Sequence, residues 1–267
     1  MSNPPIASRP FEAPVGMYMS RELVTAKLDT SVEALARTMH GGQFSALPIV
    51  DDDGQLAGVV SRTDLIRLGA LQAGRRWTSP AMPLPHRRAD QVMKPAPETC
   101  SSAAPLREAA TIMVRHQLHH VFVLDDDRLA GVISAVDLAA AVRDARIDKE
   151  LSTIMTAPIV TIDVHAPLSA AVDLLERLRL TGLVVTDDGL PIGTMAQTEV
   201  LASRDLPRGT PIEAVYDPAV ICLPAQTKLY RAADHVTQIE VRRVVVCRAR
   251  EAVGVVTALD FARFVAG

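Results

Sequence analysis

One stretch of this chain, Leu47 to Leu65 (LPIVDDDGQLAGVVSRTDL), occurs in four versions, and that repetition limits the fold more than any other feature. Two apolar runs joined by an Asp/Gly turn predict a β-hairpin. The Ser61-x-x-Asp64 that follows predicts a helix start, with a hydroxyl at the N-cap and an acid at the third helical position. Aligned on glycine, the copies are Gly58-Val59-Val60-Ser61-x-x-Asp64, Gly131-Val132-Ile133-Ser134-x-x-Asp137, Gly193-Thr194-Met195-Ala196-x-x-Glu199 and Gly254-Val255-Val256-Thr257-x-x-Asp260. In this alignment each glycine lies ten residues after an apolar residue that opens the hairpin: Pro48, Val121, Leu183 and Val244. Such a period marks an internally duplicated architecture.

A helix precedes each hairpin. Apolar residues fall at i, i+3, i+4, i+7 in Val32/Leu35/Ala36/Met39, Leu106/Ala109/Ala110/Met113, Leu168/Ala171/Val172/Leu175 and Leu229/Ala232/Ala233/Val236. Thr30-x-x-Glu33 reads as a capping box for the first, and Gly41-Gly42 as its end. A short β-like run stands before each helix, and Met19, Met93, Met155 and Tyr216 each lie six residues before its Thr25, Thr99, Thr161 or Cys222. The unit is therefore β-α-β-β-α, and the class α+β. A sixty-residue unit buries little alone, so the units are expected in pairs packed sheet to sheet, 1+2 and 3+4, since neighbours in sequence are usually neighbours in space. The expected organisation is a mobile Pro-rich tail over 1–14, then units at 15–72, 92–147, 151–206 and 211–267. A Pro/Arg-rich linker with Trp77 over 73–91 accounts for the longer first repeat.

Composition narrows the function. The 267 residues carry a formal charge of −3 and only 3% aromatic residues, which argues against nucleic acid as a partner. No apolar run reaches bilayer length, which argues against a membrane partner. Cys100, Cys222 and Cys247 form no CxxC and are read as reduced thiols of a cytoplasmic protein. His116, His119 and His120 are not expected to converge on a metal, because successive strand residues point to opposite faces. No Ser/His/Asp, Cys/His or Walker arrangement is present.

The apolar run, the Asp/Gly turn and the G-h-h-S/T-x-x-D helix start resemble the CBS domain, whose tandem pairs are called Bateman modules. The likeness covers nearly all of the chain from about residue 17 to 265 and is weakest in the third unit. It implies a non-catalytic regulatory protein that binds an adenosyl ligand (AMP, ADP, ATP or S-adenosylmethionine) in clefts between paired units. No cofactor is required. A regulated partner protein and a homodimer are expected.

A helix N-terminus offers unpaired N–H groups to a phosphate, and a carboxylate suits neighbouring ribose hydroxyls. The resemblance assigns these tasks to Ser61 with Asp64, Ser134 with Asp137, and Thr257 with Asp260. Ala196 leaves the third unit without its hydroxyl. Thr25, Thr99 and Thr161 hold a position where the family often contacts ligand. The basic position before the second strand aligns Ala46, His119, Thr181 and Arg242, of which His119 and Arg242 suit phosphate. Each hydroxyl–acid pair has a second reading as a cap on its own helix, worth about 0.5–2 kcal/mol. Two other functions stay open: a structural oligomerisation scaffold with empty clefts, and a nucleotide-processing enzyme.

Overall fold

The computed structural model describes residues 10–42, 44–72, 84–238, 243–248 and 251–267. Repeat one runs β1 (Ala26–Lys27), α1 (Val32–Gly41), β2 (Ala46–Val50), β3 (Leu56–Ser61) and α2 (Arg62–Gln72). After β4 (Lys94–Pro95), repeat two runs β5 (Thr99–Cys100), α3 (Leu106–His116), β6 (His120–Asp125), β7 (Arg128–Ser134) and α4 (Ala135–Asp144). Repeat three is β8 (Thr161–Asp163), α5 (Leu168–Arg177), β9 (Gly182–Asp187), β10 (Leu190–Ala196) and α6 (Gln197–Ala202). Repeat four is β11 (Ile221–Pro224), α7 (Leu229–Gln238), β12 (Arg243–Arg248), β13 (Glu251–Thr257) and α8 (Ala258–Ala266). The order is the α+β unit the sequence predicts. In each repeat the short first strand lies parallel to the hairpin's first strand, and the hairpin is antiparallel. All sixteen apolar residues of the four helix stripes are buried.

Strand register corrects the alignment by one residue. Leu47, Val121, Leu183 and Val244 sit opposite Val60, Ile133, Met195 and Val256, so Leu47 rather than Pro48 opens the first hairpin. The turn after β2 is one residue longer than its counterpart in repeat two, which turns through Asp126 and Asp127 at φ 50° and 60°. The α1 cap also shifts by one. Ser31 accepts the Ala34 N–H, Thr30 Oγ1 accepts from Lys27 N–H, and Glu33 pairs with Arg204 at 2.7 Å.

The chain forms two compact units that it enters alternately. One holds the bodies of repeats two and four, the other those of one and three. Within the first, α4 packs on α7 and α8, and α3 on α8; within the second, α2 packs on α6. These helix interfaces join repeats that are not sequence neighbours. Adjacency in sequence did not predict them.

The segment leading into each repeat docks on its neighbour. Residues Phe11–Ser20 lie on repeat two, where Phe11 and Ala13 carbonyls accept from Arg107 and Leu106 N–H. Residues 84–95 lie on repeat one, where Arg87 C=O accepts from Val32 N–H. Ile147 and Lys149 carbonyls serve Tyr230 and Leu229, and Arg208 and Thr210 carbonyls serve Ser169 and Leu168. The first N–H groups of a helix have no partner inside it, so these carbonyls cap each repeat's first helix from the neighbouring repeat's lead-in. Repeats one and two, and three and four, thus exchange lead-ins. Two expectations change accordingly. Phe11 (5% exposed) to Pro14 is docked rather than a free tail, and Ala89 (0%), placed in the linker, is core. Residues 1–9 and 73–83, with Trp77, lie outside the described residues.

Candidate ligand-binding site

Strand passes to helix without a loop at each signature. Ser134 has φ −112°, ψ 165° and closes a hairpin; the next residue begins α4. Ser134 N–H and Oγ–H both donate to Asp137 Oδ2, each at 2.7 Å. Asp64 Oδ2 receives Ser61 in the same way, and Asp260 Oδ2 receives Thr257 N–H at 2.7 Å and Oγ1–H at 2.8 Å. In repeat three only the Ala196 N–H reaches Glu199, at 2.8 Å. One carboxylate oxygen is therefore committed to its own helix start in every repeat, as the capping reading requires.

The second oxygen differs among them, and the exchanged lead-ins make the difference. The residue after Met19, Met93, Met155 or Tyr216 pairs with the residue after the signature glycine: Ser20 with Val132, Lys94 with Val59, Thr156 with Val255, Asp217 with Thr194. Lys94 Nζ lies 2.8 Å from Asp64 Oδ1. Thr156 Oγ1 donates to Asp260 Oδ1 at 3.2 Å, and Arg263 adds an ion pair to the same atom. Asp260 is sealed at 2% exposure. Asp217 Oδ1 accepts the Ala219 N–H at 2.9 Å. Ser20 Oγ–H turns to the Glu22 carbonyl, and Asp137 Oδ1 has no partner among the described residues.

Repeat two carries a second unsatisfied group. His120 faces Ser134 across the β6–β7 ladder, and its buried Nδ1 has no hydrogen-bond partner. Burial, with His119 adding to it, pushes the His120 pKa down to about 4, so the ring is neutral at pH 7. Burial also raises the Asp137 carboxyl against the lowering pull of Ser134. Unpaired buried polar atoms are uncommon in native proteins and call for a partner. Here one of them, His120 Nδ1, stands across from Ser134 at a helix N-terminus, beside the unpartnered Oδ1 of the half-buried Asp137.

The other expected residues are placed as follows. Thr25 and Thr161 are exposed, and Thr99 is half-buried opposite Phe122. His119 is half-buried and gives its carbonyl to Ala135 N–H, as Ser45 does to Arg62 and Thr181 to Gln197. Ser45, not Ala46, is thus the counterpart of His119. Arg242 lies outside the described residues. The sequence reading weighed His120 only as a metal ligand and not as a contact for a small molecule, because a histidine at the start of a strand has no local mark of burial. It also passed over Ser20, Lys94 and Thr156, whose effect is felt in another repeat. A separate polar hollow of about 650 Å³, lined by Arg143, Asp144, Arg146, Tyr230, Arg231, Asp234 and His235, contains none of the signature acids. Among the described residues no helix is long and apolar enough to cross a membrane.

The sequence profile of the CBS domain matches residues 15–70, 89–144 and 151–204, more than half of the chain. The chain belongs to the CBS-domain family. The fourth repeat falls outside the matched segments but shares their fold. A CBS domain-containing protein of Dictyostelium discoideum is 31% identical over 134 residues, which is 46% of this chain and 87% of that protein. A homoserine O-acetyltransferase of Methanocorpusculum labreanum is 29% identical over 118 residues, but the match spans only 24% of that enzyme. Protein MJ1225 of Methanocaldococcus jannaschii superposes with a TM-score of 0.82 over 94% of this chain and 99% of its own, at 15% identity. That likeness is one of fold. It extends over all four CBS repeats.

Proposed function

We propose that this CBS-domain chain is a non-catalytic sensor that takes an adenosyl ligand (AMP, ADP, ATP or S-adenosylmethionine) at repeat two. The observation that carries the reading is the pair of unpartnered atoms beside Ser134, Asp137 Oδ1 and His120 Nδ1. In it, Asp137 accepts from ribose hydroxyls, and the α4 N-terminus with Ser134 receives a phosphate or carboxylate. His120 is neutral and free to bond a polar group of the ligand. Thr99 and His119 stand in the same repeat as candidate contacts. The proposed sensor hands its signal to a partner protein and acts as a homodimer in the cytoplasm. At repeat four the structural role is favoured instead, because both Asp260 oxygens are taken by groups of the chain itself.

The test is denaturing extraction of purified protein with mass spectrometry, then calorimetric titration of stripped protein with AMP, ADP, ATP and S-adenosylmethionine. The reading expects saturable binding that Asp137→Asn abolishes while the fold is retained. No binding by any of the four, with the protein shown to be ligand-free, overturns it.

A further inference from the structure

Asp64, Asp137 and Asp260 share one cap geometry, and the neighbouring repeat's lead-in presents a different side chain to each. We infer that this single lead-in residue selects which CBS repeat is open to ligand: Ser20 leaves Asp137 open, whereas Lys94 occupies Asp64 and acts as a lock on repeat one. The inference rests on the adenosyl reading above and names the residues that set its occupancy.

Lys94 sits on β4, which pairs with β3 beside Gly58, so its backbone is held in place. Its ammonium lies 2.8 Å from the one Asp64 oxygen that the helix cap leaves over. The Asp64 side chain is 9% exposed, while that of Lys94 is 60% exposed. A ligand hydroxyl reaching Asp64 must displace this cation from a largely desolvated carboxylate, and charge-assisted bonds are the stronger kind. At repeat two the same position holds a side chain too short to span, and its hydroxyl is turned to Glu22. At repeat four Thr156 reaches Asp260, and Arg263 completes the closure. At repeat three the position holds Asp217, which carries no cation and whose carboxylate accepts the Ala219 N–H. The lock residue and the acid it controls belong to different repeats, so the exchange of lead-ins makes each repeat's ligand state depend on its neighbour.

The test uses the full chain and AMP in isothermal titration calorimetry. Wild type is expected to bind one AMP per chain. Ser20→Lys is expected to weaken that site about tenfold or more, and Lys94→Ser to raise the count to two, with Asp64→Asn in the Lys94→Ser background restoring one. Ser20 is exposed, so its replacement leaves the core intact; Lys94→Met, which keeps the aliphatic stem, guards against loss of fold in the second arm. Binding by wild type that neither Ser20→Lys nor Lys94→Ser alters overturns the selector and leaves the sensor reading standing. Weaker AMP binding in Lys94→Ser also overturns it, by making Lys94 a ligand contact. Absence of AMP binding in wild type and every variant overturns both.

Discussion

Asp137 and Asp260 carry the same side chain at the same position of the same motif, yet they should answer mutation in opposite ways. Asp260 is buried and bonded on both oxygens, so Asp260→Ala removes a helix cap and strands Thr156 and Thr257. A loss of about 2–3 kcal/mol in denaturant unfolding is expected. Asp137 has one oxygen unsatisfied and a carboxyl raised by burial, so Asp137→Asn should hold or raise the melting temperature while ligand binding disappears. His120 gives a pH signature. Its folded pKa of about 4 lies below the ordinary 6.5, so between these values the unfolded chain binds a proton that the folded chain refuses. Stability is therefore full above pH 6.5 and falls as pH drops toward 4, by up to about 3 kcal/mol. The raised Asp137 carboxyl has the opposite sign, because just above its ordinary value the folded chain holds the extra proton. Denaturant midpoints at pH 7 and 4.5 should differ in wild type and converge in His120→Gln. An unchanged difference would remove His120 as its source.

At the scale of elements, the hairpin glycine is explained by what crosses it. A Cβ on Gly58 would stand 2.6 Å from Met93 Sδ and 2.8 Å from the Lys94 carbonyl. On Gly131 it would meet the Ser20 carbonyl at 2.7 Å, and on Gly254 it would meet Met155 Sδ at 2.9 Å and the Thr156 carbonyl at 3.0 Å. Gly193 is tightest, against the Asp217 carbonyl and the Tyr216 ring. Overpacking of this kind costs about 1–3 kcal/mol. Alanine substitution should therefore destabilise most at Gly193 and least at Gly254, a ranking that thermal melts of the four variants would check. The invariant spacing between glycine and acid was plain in the sequence. The reason for the glycine was not, since the clashing atoms arrive from another repeat's lead-in.

At the scale of the whole molecule, two units of different make-up share one chain. The unit of repeats two and four is built on Ala-rich helices, with Ala110, Ala139, Ala232, Ala233 and Ala262 all buried, and small side chains let α4 approach α7 and α8 closely. Phe261 is fully buried there, and Phe261→Ala should cost about 3–5 kcal/mol. Ligand at a hundredfold excess over Kd should add about 2.7 kcal/mol to stability. Under the sensor reading that gain begins in β6, β7 and α4. Hydrogen exchange at low AMP should slow these amides before those of α1 and α5. Simultaneous slowing throughout would contradict a site confined to repeat two.

The number of repeats, the order of their elements, the buried helix stripes and the hydroxyl–acid pair at three of the four helix starts followed from the sequence alone. Each rests on periodicity or on hydrogen bonds spanning three or four residues, and such interactions are written locally. Tertiary structure alone decided which helices pack together, why the glycine is needed, and which acid keeps an oxygen free. Those outcomes depend on groups brought in from another repeat, as Thr156 is to Asp260 and Lys94 to Asp64. The repeat pattern makes the four acids look alike. Their second partners, set by where the chain crosses between repeats, make them different.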